Sequence, residues 1–312
     1  YGLVGSEMCI RDSDIEGWPS YGVIYNCTFQ DCYAAGLGYG VAVYNNVNNE
    51  GPAGVTAYNA SLIWGDYEWV FIEDCTFVGS RHATTGAFGA RIVFRYNTVT
   101  PQSVQYASPV CLHGASSNHS YYGTRAFDMY NNTTYSNSHA QDMLNIGGGA
   151  ARIHDNNAIV QNSDSVVVIQ DDTTPEPSYP HPLQASDIYL WSNTINGQVR
   201  DAVCYGPYVG PGHLFQQGRD FFYYAPSGYV TYPYPHPLRQ GTPHISLSPS
   251  SLQFSATAGG SKPSNQTFQI SNSGRGTLNW SVSDNANWLT CSPTSGTNDA
   301  SITVSVDQAG VS

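Results

Sequence analysis

The sequence is poor in charge, and lysine is nearly missing from it. Only 11% of the 312 residues are charged, and Lys262 is the single lysine. The formal net charge is −12 at pH 7. No basic stripe is present that could neutralise the phosphates of a nucleic acid, so we expect no nucleic-acid partner.

Long apolar runs and long helical patterns are missing as well. No apolar run approaches the roughly 18 residues that a membrane-spanning helix needs, so we predict no membrane span. Few stretches rich in Ala, Leu, Glu and Lys occur, whereas Gly, Asn, Ser, Thr and Tyr are abundant. This composition indicates an all-β protein.

The seven cysteines follow no metal-ligand pattern. They form no C-x-x-C motif and no Cys/His pair at zinc spacing. We interpret them mostly as buried thiols, with one disulfide allowed: Cys9, Cys27, Cys32, Cys75, Cys111, Cys204 and Cys291. The composition is typical of an extracellular protein, and we predict an extracellular or cell-surface location.

The first 13 residues differ in character from the rest of the chain. Tyr1–Ser13 resembles translated adapter sequence, and we set it aside as a non-native segment. The alternative is a genuine frayed terminus. The sequence has neither an initiator Met nor a signal peptide, so we expect the natural start to be missing.

What the chain does contain is one short phrase, repeated. An apolar residue is followed by two variable residues, then Asn or Cys as the anchor, then usually Thr and another apolar residue. Copies are IYNCTF (Ile24–Phe29), IEDCTF (Ile72–Phe77), FRYNTV (Phe94–Val99), MYNNTT (Met129–Thr134), IHDNNA (Ile153–Ala158) and LWSNTI (Leu190–Ile195). Such self-similarity is typical of stacked-repeat proteins, and we predict a parallel β-helix over residues 14–238.

The spacing of the anchors sets the length of each coil. From Cys75 onward, neighbouring anchors lie 22, 35, 24 and 37 residues apart, which fits single coils without and with insertions. The 48 residues between Cys27 and Cys75 would hold two coils, with Asn46 as an irregular anchor. Coils stack about 4.8 Å apart, so anchor amides can hydrogen-bond from coil to coil. We therefore predict a structural ladder of Asn97, Asn132, Asn156 and Asn193.

Alternation along the repeat strands predicts which side chains face away from the core. The two outward columns are Phe71, Val93, Asp128, Arg152 and Tyr189, and Glu73, Arg95, Tyr130, His154 and Trp191. Adjacent coils then place Glu73 beside Arg95 and Asp128 beside Arg152. Opposite charges across a ladder stabilise by about 0.2–1 kcal/mol, so we predict two structural ion pairs.

A second strand, which ends in Gly, precedes most copies of the phrase. The candidates are Ser61–Gly65, Gly86–Gly89, Val110–Gly114 and Met143–Gly147, with Ser165–Asp172 as the equivalent of the next coil. These strands predict a second sheet. After the Pro-rich stretch Thr173–Gln184, we expect Val199–Tyr232 to form an irregular cap over the edge of the last coil.

From His244 the pattern changes to short alternating strands separated by Gly, Ser, Asn and Pro turns. This pattern predicts a β-sandwich at residues 244–312, after a linker at residues 239–243. An immunoglobulin-sized sandwich needs about 90–100 residues, so we expect this one to lack its last one or two strands.

Two family resemblances are carried by these motifs. GARIVFRYNTVT (Gly89–Thr100), followed by GTRAFDMYNNTTY (Gly123–Tyr135), resembles the right-handed parallel β-helix proteins of the pectate-lyase-like superfamily, closest to uncharacterised secreted bacterial members. NWLTCSPTSGT (Asn287–Thr297) resembles part of a BACON-type immunoglobulin-like domain, a type that commonly accompanies bacterial carbohydrate-active proteins. The resemblances imply a polysaccharide or cell-surface glycan as partner. We expect a monomer.

The chemistry of that superfamily finds little support in the carboxylates of this chain. Its lyases generally use Ca²⁺ held by several carboxylates, and its hydrolases use clustered Asp residues. Here the carboxylates are sparse and dispersed. For the adjacent acidic pair Asp171–Asp172, a solvated turn is a better explanation than a metal site. We therefore predict no metal site and no cofactor, with Ca²⁺ left as the alternative in the absence of a clear carboxylate cluster.

A set of histidines supplies the catalytic candidates. His82 and His139 each lie seven residues after an anchor, and His113 lies on the coil between them. Equivalent coil positions place the three on one flank, with Arg81 and Asp142 nearby, where they could hold a metal or act as acid and base. The alternative is a set of partly exposed polar residues on glycine-rich loops.

Aromatic side chains are the second functional signal, because the chain has 23 Tyr and 6 Trp. Flat rings stack on sugar faces, although they also fill loops. Our candidate substrate-binding residues are Trp64, Tyr121, Tyr122 and His119. The leading hypothesis is a secreted protein that binds polysaccharide, or cleaves it as a lyase or glycoside hydrolase. The alternative is a non-enzymatic structural or adhesive solenoid at the cell surface.

Overall fold

A computed structural model describes most of the chain. The described residues are 2–5, 9–10, 13–16, 21–32, 38–45, 55–64, 69–101, 108–114, 122–136, 143–160, 167–169, 184–205, 215–240, 243–257, 259–274 and 276–307. Only the backbone is described at residues 2–5, 9–10, 13–16, 55–56, 136, 204–205 and 240. The chain forms two compact units, Tyr1–Tyr232 and Pro233–Ser312.

The first unit consists almost entirely of short strands. They are β1 (Gly2–Gly5), β2 (Cys9–Ile10), β3 (Ser13–Glu16), β4 (Tyr21–Tyr25), β5 (Thr28–Gln30), β6 (Tyr39–Tyr44), β7 (Val70–Glu73), β8 (Thr76–Val78), β9 (His82–Ala87), β10 (Arg91–Arg95), β11 (Thr98–Thr100), β12 (Val110–Leu112), β13 (Ala126–Tyr130), β14 (Thr133–Ser136), β15 (Leu144–Ile146), β16 (Ala150–His154), β17 (Asn157–Val160), β18 (Val167–Ile169), β19 (Ile188–Trp191), β20 (Thr194–Ile195), β21 (Gln198–Val199), β22 (Val203–Tyr205) and β23 (Phe221–Phe222). A single short helix, α1 (Val55–Asn59), is found in the described part of this unit. The prediction of an all-β protein is confirmed.

The strands stack into three long sheets. The first sheet has the order β1-β4-β7-β10-β13-β16-β19-β23, the second β2-β5-β8-β11-β14-β17-β20-β21, and the third β22-β18-β15-β12-β9-β6-β3. Neighbouring strands run parallel, apart from the antiparallel end pair β20–β21. Each sheet takes its strands from successive turns of the chain, so the unit is a solenoid of stacked coils.

A left-handed residue makes the turn from the first sheet to the second. The residue just before the anchor has a φ between 52° and 57° in every described coil: Asn26, Asp74, Tyr96, Asn131, Asp155 and Ser192. Most L-residues avoid this region at a cost of roughly 1–2 kcal/mol, and Asn and Asp tolerate it best. The repeated Asn and Asp before the anchor therefore encode the corner of the coil.

The anchor asparagines form a continuous ladder. Nδ2 of each donates to Oδ1 of the next: Asn97 to Asn132 at 3.1 Å, Asn132 to Asn156 at 2.9 Å, and Asn156 to Asn193 at 3.0 Å. Oδ1 of Asn132 also accepts the backbone N–H of Asn97 at 2.9 Å. The last amide, that of Asn193, donates to the carboxylate of Asp201 at 2.9 Å. All four amides are buried, and the ladder supplies the partners that buried polar groups require.

The interior of the coils is one continuous apolar core. Rings from successive coils lie on one another, with centroid distances of 4.7 Å for Phe29 and Phe77 and 5.7 Å for Phe77 and Phe94. Cys27 and Cys75 occupy the anchor position in the coils without an anchor Asn, and both are buried. Each coil thus covers the apolar face of its neighbour, which no coil could bury alone.

The 48-residue spacing between Cys27 and Cys75 holds one coil, which corrects the expectation of two. β4 pairs directly with β7, with Gly22 opposite Val70, so no strand of the first sheet lies between them. The intervening residues contain β6 in the third sheet and then α1. Asn46, the expected extra anchor, lies outside the described residues.

Ser61–Gly65 was predicted as a strand, and this prediction is wrong for its described residues 61–64, which have no strand. The third-sheet strand of this coil is β6, where Tyr39 pairs with His82. Leu62 and Trp64 pack against the outer face of the first sheet instead of entering the core. The other predicted second strands overlap β9, β12, β15 and β18.

Both ends of the first unit differ from expectation. β1 and β2, in the segment set aside as non-native, pair with β4 and β5 and so continue two sheets. At the other end, β22 and β23 also continue two sheets, where we expected only an irregular cap. Residues 223–232, called the strap, then run back over the outer face of the first sheet, as far as Phe71.

The second unit is a small antiparallel sandwich. After a 3₁₀ turn at Pro237–Gln240, its strands are β24 (Ile245–Ser248), β25 (Gln266–Asn272), β26 (Asn279–Ser281), β27 (Leu289–Ser292), β28 (Ser295–Thr297) and β29 (Ala300–Val306). One sheet has the order β24-β25-β29-β27, and β26 pairs with β28. Its core gathers around Trp280, whose indole N–H donates to the carbonyl of Asn298 at 2.8 Å. Over both units, none of the described helices is long and apolar enough to cross a membrane.

Candidate functional site

The outer face of the first sheet is covered by two segments. Residues 57–64 lie on part of it, and the strap lies on another part. Beneath them, outward side chains such as Phe71, Val93 and Tyr130 are buried in a second apolar cluster. Alternation predicted that these residues point away from the core, but it did not predict the cover. Charged residues of the same two columns are therefore buried as well.

Glu73 and Arg95 form the ion pair predicted from the register. Nη2 and Nε of Arg95 lie 2.6 Å and 2.7 Å from Oε2 of Glu73, and both side chains are fully buried. Nη1 of Arg95 donates to the hydroxyl of Tyr130 at 2.7 Å and to the carbonyl of Tyr232 at 2.9 Å. Since Tyr232 ends the strap, this pair also attaches the strap to the sheet.

Asp128 does not form the predicted ion pair with Arg152, although the two residues are neighbours in register. Its carboxylate instead accepts the hydroxyl of Tyr229 from the strap, at 2.8 Å and 3.1 Å. Complete burial raises the pKa of Asp128 to about 7, although Tyr229 and the guanidinium groups of Arg152 and Arg95 oppose the rise. A buried carboxyl that titrates near neutrality is a candidate functional group.

His154 continues the contact from Tyr229 toward the surface. Nε2 lies 2.8 Å from the Tyr229 hydroxyl, and Nδ1 lies 2.7 Å from Oδ2 of Asp155, whose side chain is 49% exposed. The imidazole stacks between Tyr130 and Trp191, at 4.8 Å and 4.2 Å. Burial lowers the pKa of His154, and Asp155 opposes this effect. These residues are called the polar chain: Asp128, Tyr229, His154 and Asp155.

Arg152 turns away from Asp128 because it has stronger partners on its other side. Its guanidinium lies between two rings, 4.2 Å from the centroid of Trp64 and 4.5 Å from that of Tyr189. Nη2 donates to Oδ2 of Asp187 at 2.9 Å, and Asp187 is half exposed. Arg152 therefore gains two stacking contacts and an ion pair with Asp187. These contacts explain why it pairs with Asp187 and not with Asp128.

Three aromatic rings beside Arg152 form a partly exposed surface, called the aromatic shelf: Tyr189, Phe222 and Tyr224. Tyr189 and Phe222 are opposite each other in adjacent strands, and their rings stack at 4.6 Å. Tyr224 meets both rings, at 5.7 Å and 5.5 Å, and 57% of it is exposed. Rings that hold one another in place while one remains open to solvent can bind a flat ligand with little loss of conformational entropy.

The predicted catalytic histidines are partly brought together. The ring of Tyr39 stacks on His82 at 5.6 Å and meets the edge of His113 at 6.2 Å. His82 is buried at the start of β9, where Nδ1 donates to the carbonyl of Ser108 at 2.7 Å. Burial lowers the pKa of His82 to about 4, so it is neutral at pH 7. A neutral, buried ring with one nitrogen bonded to the backbone has the environment of a structural histidine.

Of the other predicted site residues, Arg81 lies next to His82 and helps to lower its pKa, whereas Trp64 and Tyr122 pack elsewhere. Arg81 is half-buried and precedes β9. Trp64 belongs to the cover of the first sheet and borders the aromatic shelf through Arg152. Tyr122 packs its ring against Tyr58 at 5.1 Å. His139, Asp142, Tyr121 and His119 lie outside the described residues.

No metal site is formed by the described residues. Among them, no group of three or more His, Cys, Asp or Glu side chains is arranged to hold an ion.

Sequence reasoning missed the residues that the strap contributes. Tyr229 and Tyr232 lie in a stretch of weak periodicity, and their hydrogen-bond partners His154, Asp128 and Arg95 are 75, 101 and 137 residues away in the chain. Phe222 and Tyr224 were not singled out for the same reason. The outward columns did include Tyr189 and Trp191, so the face was predictable, while the segment lying over it was not.

Comparison with known proteins assigns only the second unit. Residues 244–311 match the family model of the viral BACON domain. This match supports the resemblance that the sequence showed for the sandwich. No curated protein and no solved structure matches the chain.

Proposed function

We propose that this protein is a glycan-binding solenoid that attaches to polysaccharide without cleaving it. The aromatic shelf is the observation that carries the proposal. It presents three contacting rings, and the charged pair of Arg152 and Asp187 lies along its edge. Sugar rings have apolar faces that stack on aromatic side chains, and hydroxyl groups that bond to charged and polar groups.

The size of the effect can be bounded from general contact energies. A stacked aromatic contact contributes about 0.5–1.5 kcal/mol beyond its buried area. Loss of one ring should therefore weaken binding by about threefold to tenfold. Repetition of glycan units along a polymer would add avidity when several copies of the protein act together.

We further propose that the protein acts outside the cell, as an attachment protein of a virus particle. The family description of residues 244–311 as a viral domain supports this placement. Low charge and the abundance of Gly, Asn, Ser and Thr agree with an extracellular role. We also propose that the solenoid is a right-handed parallel β-helix of the pectate-lyase-like type, a fold with which its parallel sheets are compatible.

The cover over the polar chain supports the proposal of binding without cleavage. Cleavage of a glycosidic bond needs an acid and a base in contact with the substrate. Asp128 has a raised pKa suited to an acid, but it is fully buried beneath Tyr229. Next to the polar chain and the aromatic shelf, the half-exposed carboxylates of Asp155 and Asp187 bond to His154 and Arg152. These contacts favour a structural use of the carboxylates.

The proposal is tested on a panel of neutral and acidic polysaccharides. Retardation in affinity gels should identify a bound glycan, and Tyr224→Ala and Tyr189→Ala should weaken its binding about threefold to tenfold. Tyr135→Ala is the matched control, because Tyr135 is a 41% exposed tyrosine on the second sheet. Absence of binding across the panel, or equal losses in all three variants, would contradict the proposal. Release of reducing ends or unsaturated products would contradict the non-enzymatic part.

A further inference from the structure

The polar chain contains more hydrogen-bonding contacts than its usual protons can supply. Three contacts link four groups: Asp128 to Tyr229 at 2.8 Å, Tyr229 to His154 at 2.8 Å, and His154 to Asp155 at 2.7 Å. Each contact needs one proton between its two heavy atoms. At neutral pH, two ionised carboxylates, one phenol and one neutral imidazole together supply only two.

Two proton arrangements satisfy all three contacts. In the first, His154 is an imidazolium that donates to Asp155 and Tyr229, and Tyr229 donates to ionised Asp128. In the second, protonated Asp128 donates to Tyr229, Tyr229 donates to His154, and neutral His154 donates to Asp155 through Nδ1. Both arrangements hold three protons, and they interconvert by shifting two protons along the chain.

We propose that Asp128, Tyr229 and His154 share one additional proton, and that this proton fastens the strap to the first sheet. Without it, one contact of the chain must join two acceptors at hydrogen-bond distance. Because the strap contributes Tyr229, that unfavourable contact falls at the junction between strap and sheet or next to it. Docking of the strap therefore depends on pH.

The surroundings of the chain agree with one retained proton. The sheet presents Arg95, Arg152 and Tyr130 to Asp128, and Glu73 neutralises Arg95. The strap presents Tyr229 and Tyr232, and the turn presents Asp155. Residues 57–64 contribute the uncharged Trp64, whose ring contacts that of Trp69, the residue before β7. Burial raises the pKa of Asp128 to about 7 in spite of the two arginines, and it lowers the pKa of His154.

The sign of the pH dependence follows from these two groups. The raised pKa of Asp128 favours docking below its ordinary value of about 3.9 and loses that contribution as pH rises through about 7. The lowered pKa of His154 acts in the opposite sense, because released His154 gains a proton below about 6.5. Between about 3.9 and 6.5 both states hold one proton and docking is constant. Above about 6.5 only the docked state holds it, so docking weakens toward alkaline pH.

Hydrogen exchange of the strap, without any glycan, measures this directly. The protection factors of strap amides, corrected for intrinsic rates, should be constant below about pH 6.5 and fall about threefold by about pH 9, because the pKa values of about 6.5 and about 7 differ by about 0.5. Asp128→Asn should keep the strap docked and remove the alkaline fall, because its amide N–H replaces the shared proton. Its protection should instead decrease below about pH 6.5, where released His154 gains a proton that docked His154 does not hold. Tyr229→Phe should lower protection at every pH, whereas Tyr224→Phe, on the same strap, should behave as the native chain.

Two results of this experiment would overturn the proposal. Protection that changes less than about twofold over this range in the native chain, or an unchanged pH dependence in Asp128→Asn, contradicts a shared proton. If Asp128→Asn fails to fold, Asp155→Asn serves instead, because Asn tolerates the left-handed φ of 52° at this turn. Because Asp155 raises the pKa of His154, the decrease in strap protection should begin at a lower pH in this variant. A decrease that begins at the same pH as in the native chain overturns the proposal. Docking of the strap does not depend on glycan binding, so this proposal can fail or hold independently of the proposed function.

Discussion

Replacement of Asn132 by Ala tests how much the anchor ladder stabilises the solenoid. Oδ1 of Asn132 accepts two N–H groups of Asn97, and Nδ2 donates to Oδ1 of Asn156 at 2.9 Å and to the carbonyl of Phe94 at 2.8 Å. The variant loses these bonds and leaves two buried N–H groups of Asn97 without their acceptor. A lost hydrogen bond costs about 1 kcal/mol and an unsatisfied buried group about 1–3 kcal/mol. We expect a loss of about 3–5 kcal/mol, after partial relaxation.

Calorimetry of the full chain gives the result. A loss of this size should lower the unfolding temperature of the first unit by about 10 °C. The matched control is Asn157→Ala, next to the ladder, where a half-buried Asn accepts one bond from Thr194 at 2.9 Å. The control should lose about 1 kcal/mol or less. If Asn132→Ala melts no lower than Asn157→Ala, the ladder contributes nothing beyond an ordinary polar contact, and our reasoning about it is refuted.

Two further predictions concern buried charge and buried thiols. Glu73→Ala leaves Arg95 buried without its carboxylate, and the free energy of unfolding from denaturant titration should fall by about 3–5 kcal/mol. Lys262→Ala breaks an exposed ion pair and should lower it by less than about 1 kcal/mol. Equal losses would show that the buried pair is solvated. Contact with a neighbouring thiol and burial raise the pKa of Cys75, so iodoacetamide should label half-buried Cys111 first and Cys75 only on unfolding. Early labelling of Cys75, detected by peptide mass spectrometry, would contradict its burial.

The solenoid was predictable where one local rule repeats in every coil. The anchor spacing predicted the ladder, since Asn97 and its equivalents must meet when coils stack at the strand separation. Period-two alternation predicted that Glu73 and Arg95 are neighbours on the outer face. Both inferences need only the register of adjacent strands, and a short repeated phrase contains that information.

The cover over the outer face was not predictable by the same means. The Asp128–Arg152 pair failed because register fixes which residues are neighbours but not which partner a long side chain chooses. Tyr229 competes for Asp128, and the rings of Trp64 and Tyr189 compete for Arg152. These competitors come from the strap and from the segment after α1, which have no repeat and no periodicity.

Irregular insertions also explain the misjudged coil between β4 and β7. A spacing of 48 residues is compatible with two short coils or with one coil and a long excursion. The apolar residues of SLIWG suggested a strand, yet Leu62 and Trp64 pack against the outside of the first sheet. Hydrophobic periodicity reports that one side of a segment is buried, and it does not say against which surface.

Hydrogen exchange in the presence of the best-bound polysaccharide tests the central claim most directly. Glycan binding at the aromatic shelf predicts added protection at β19, at β23 and in the first residues of the strap. The second unit should show no change in protection, although its resemblance to BACON-type domains, which often accompany carbohydrate-active proteins, first suggested a carbohydrate partner. Protection confined to residues 244–307, or to the third sheet around His82, would place the binding site elsewhere and contradict the account.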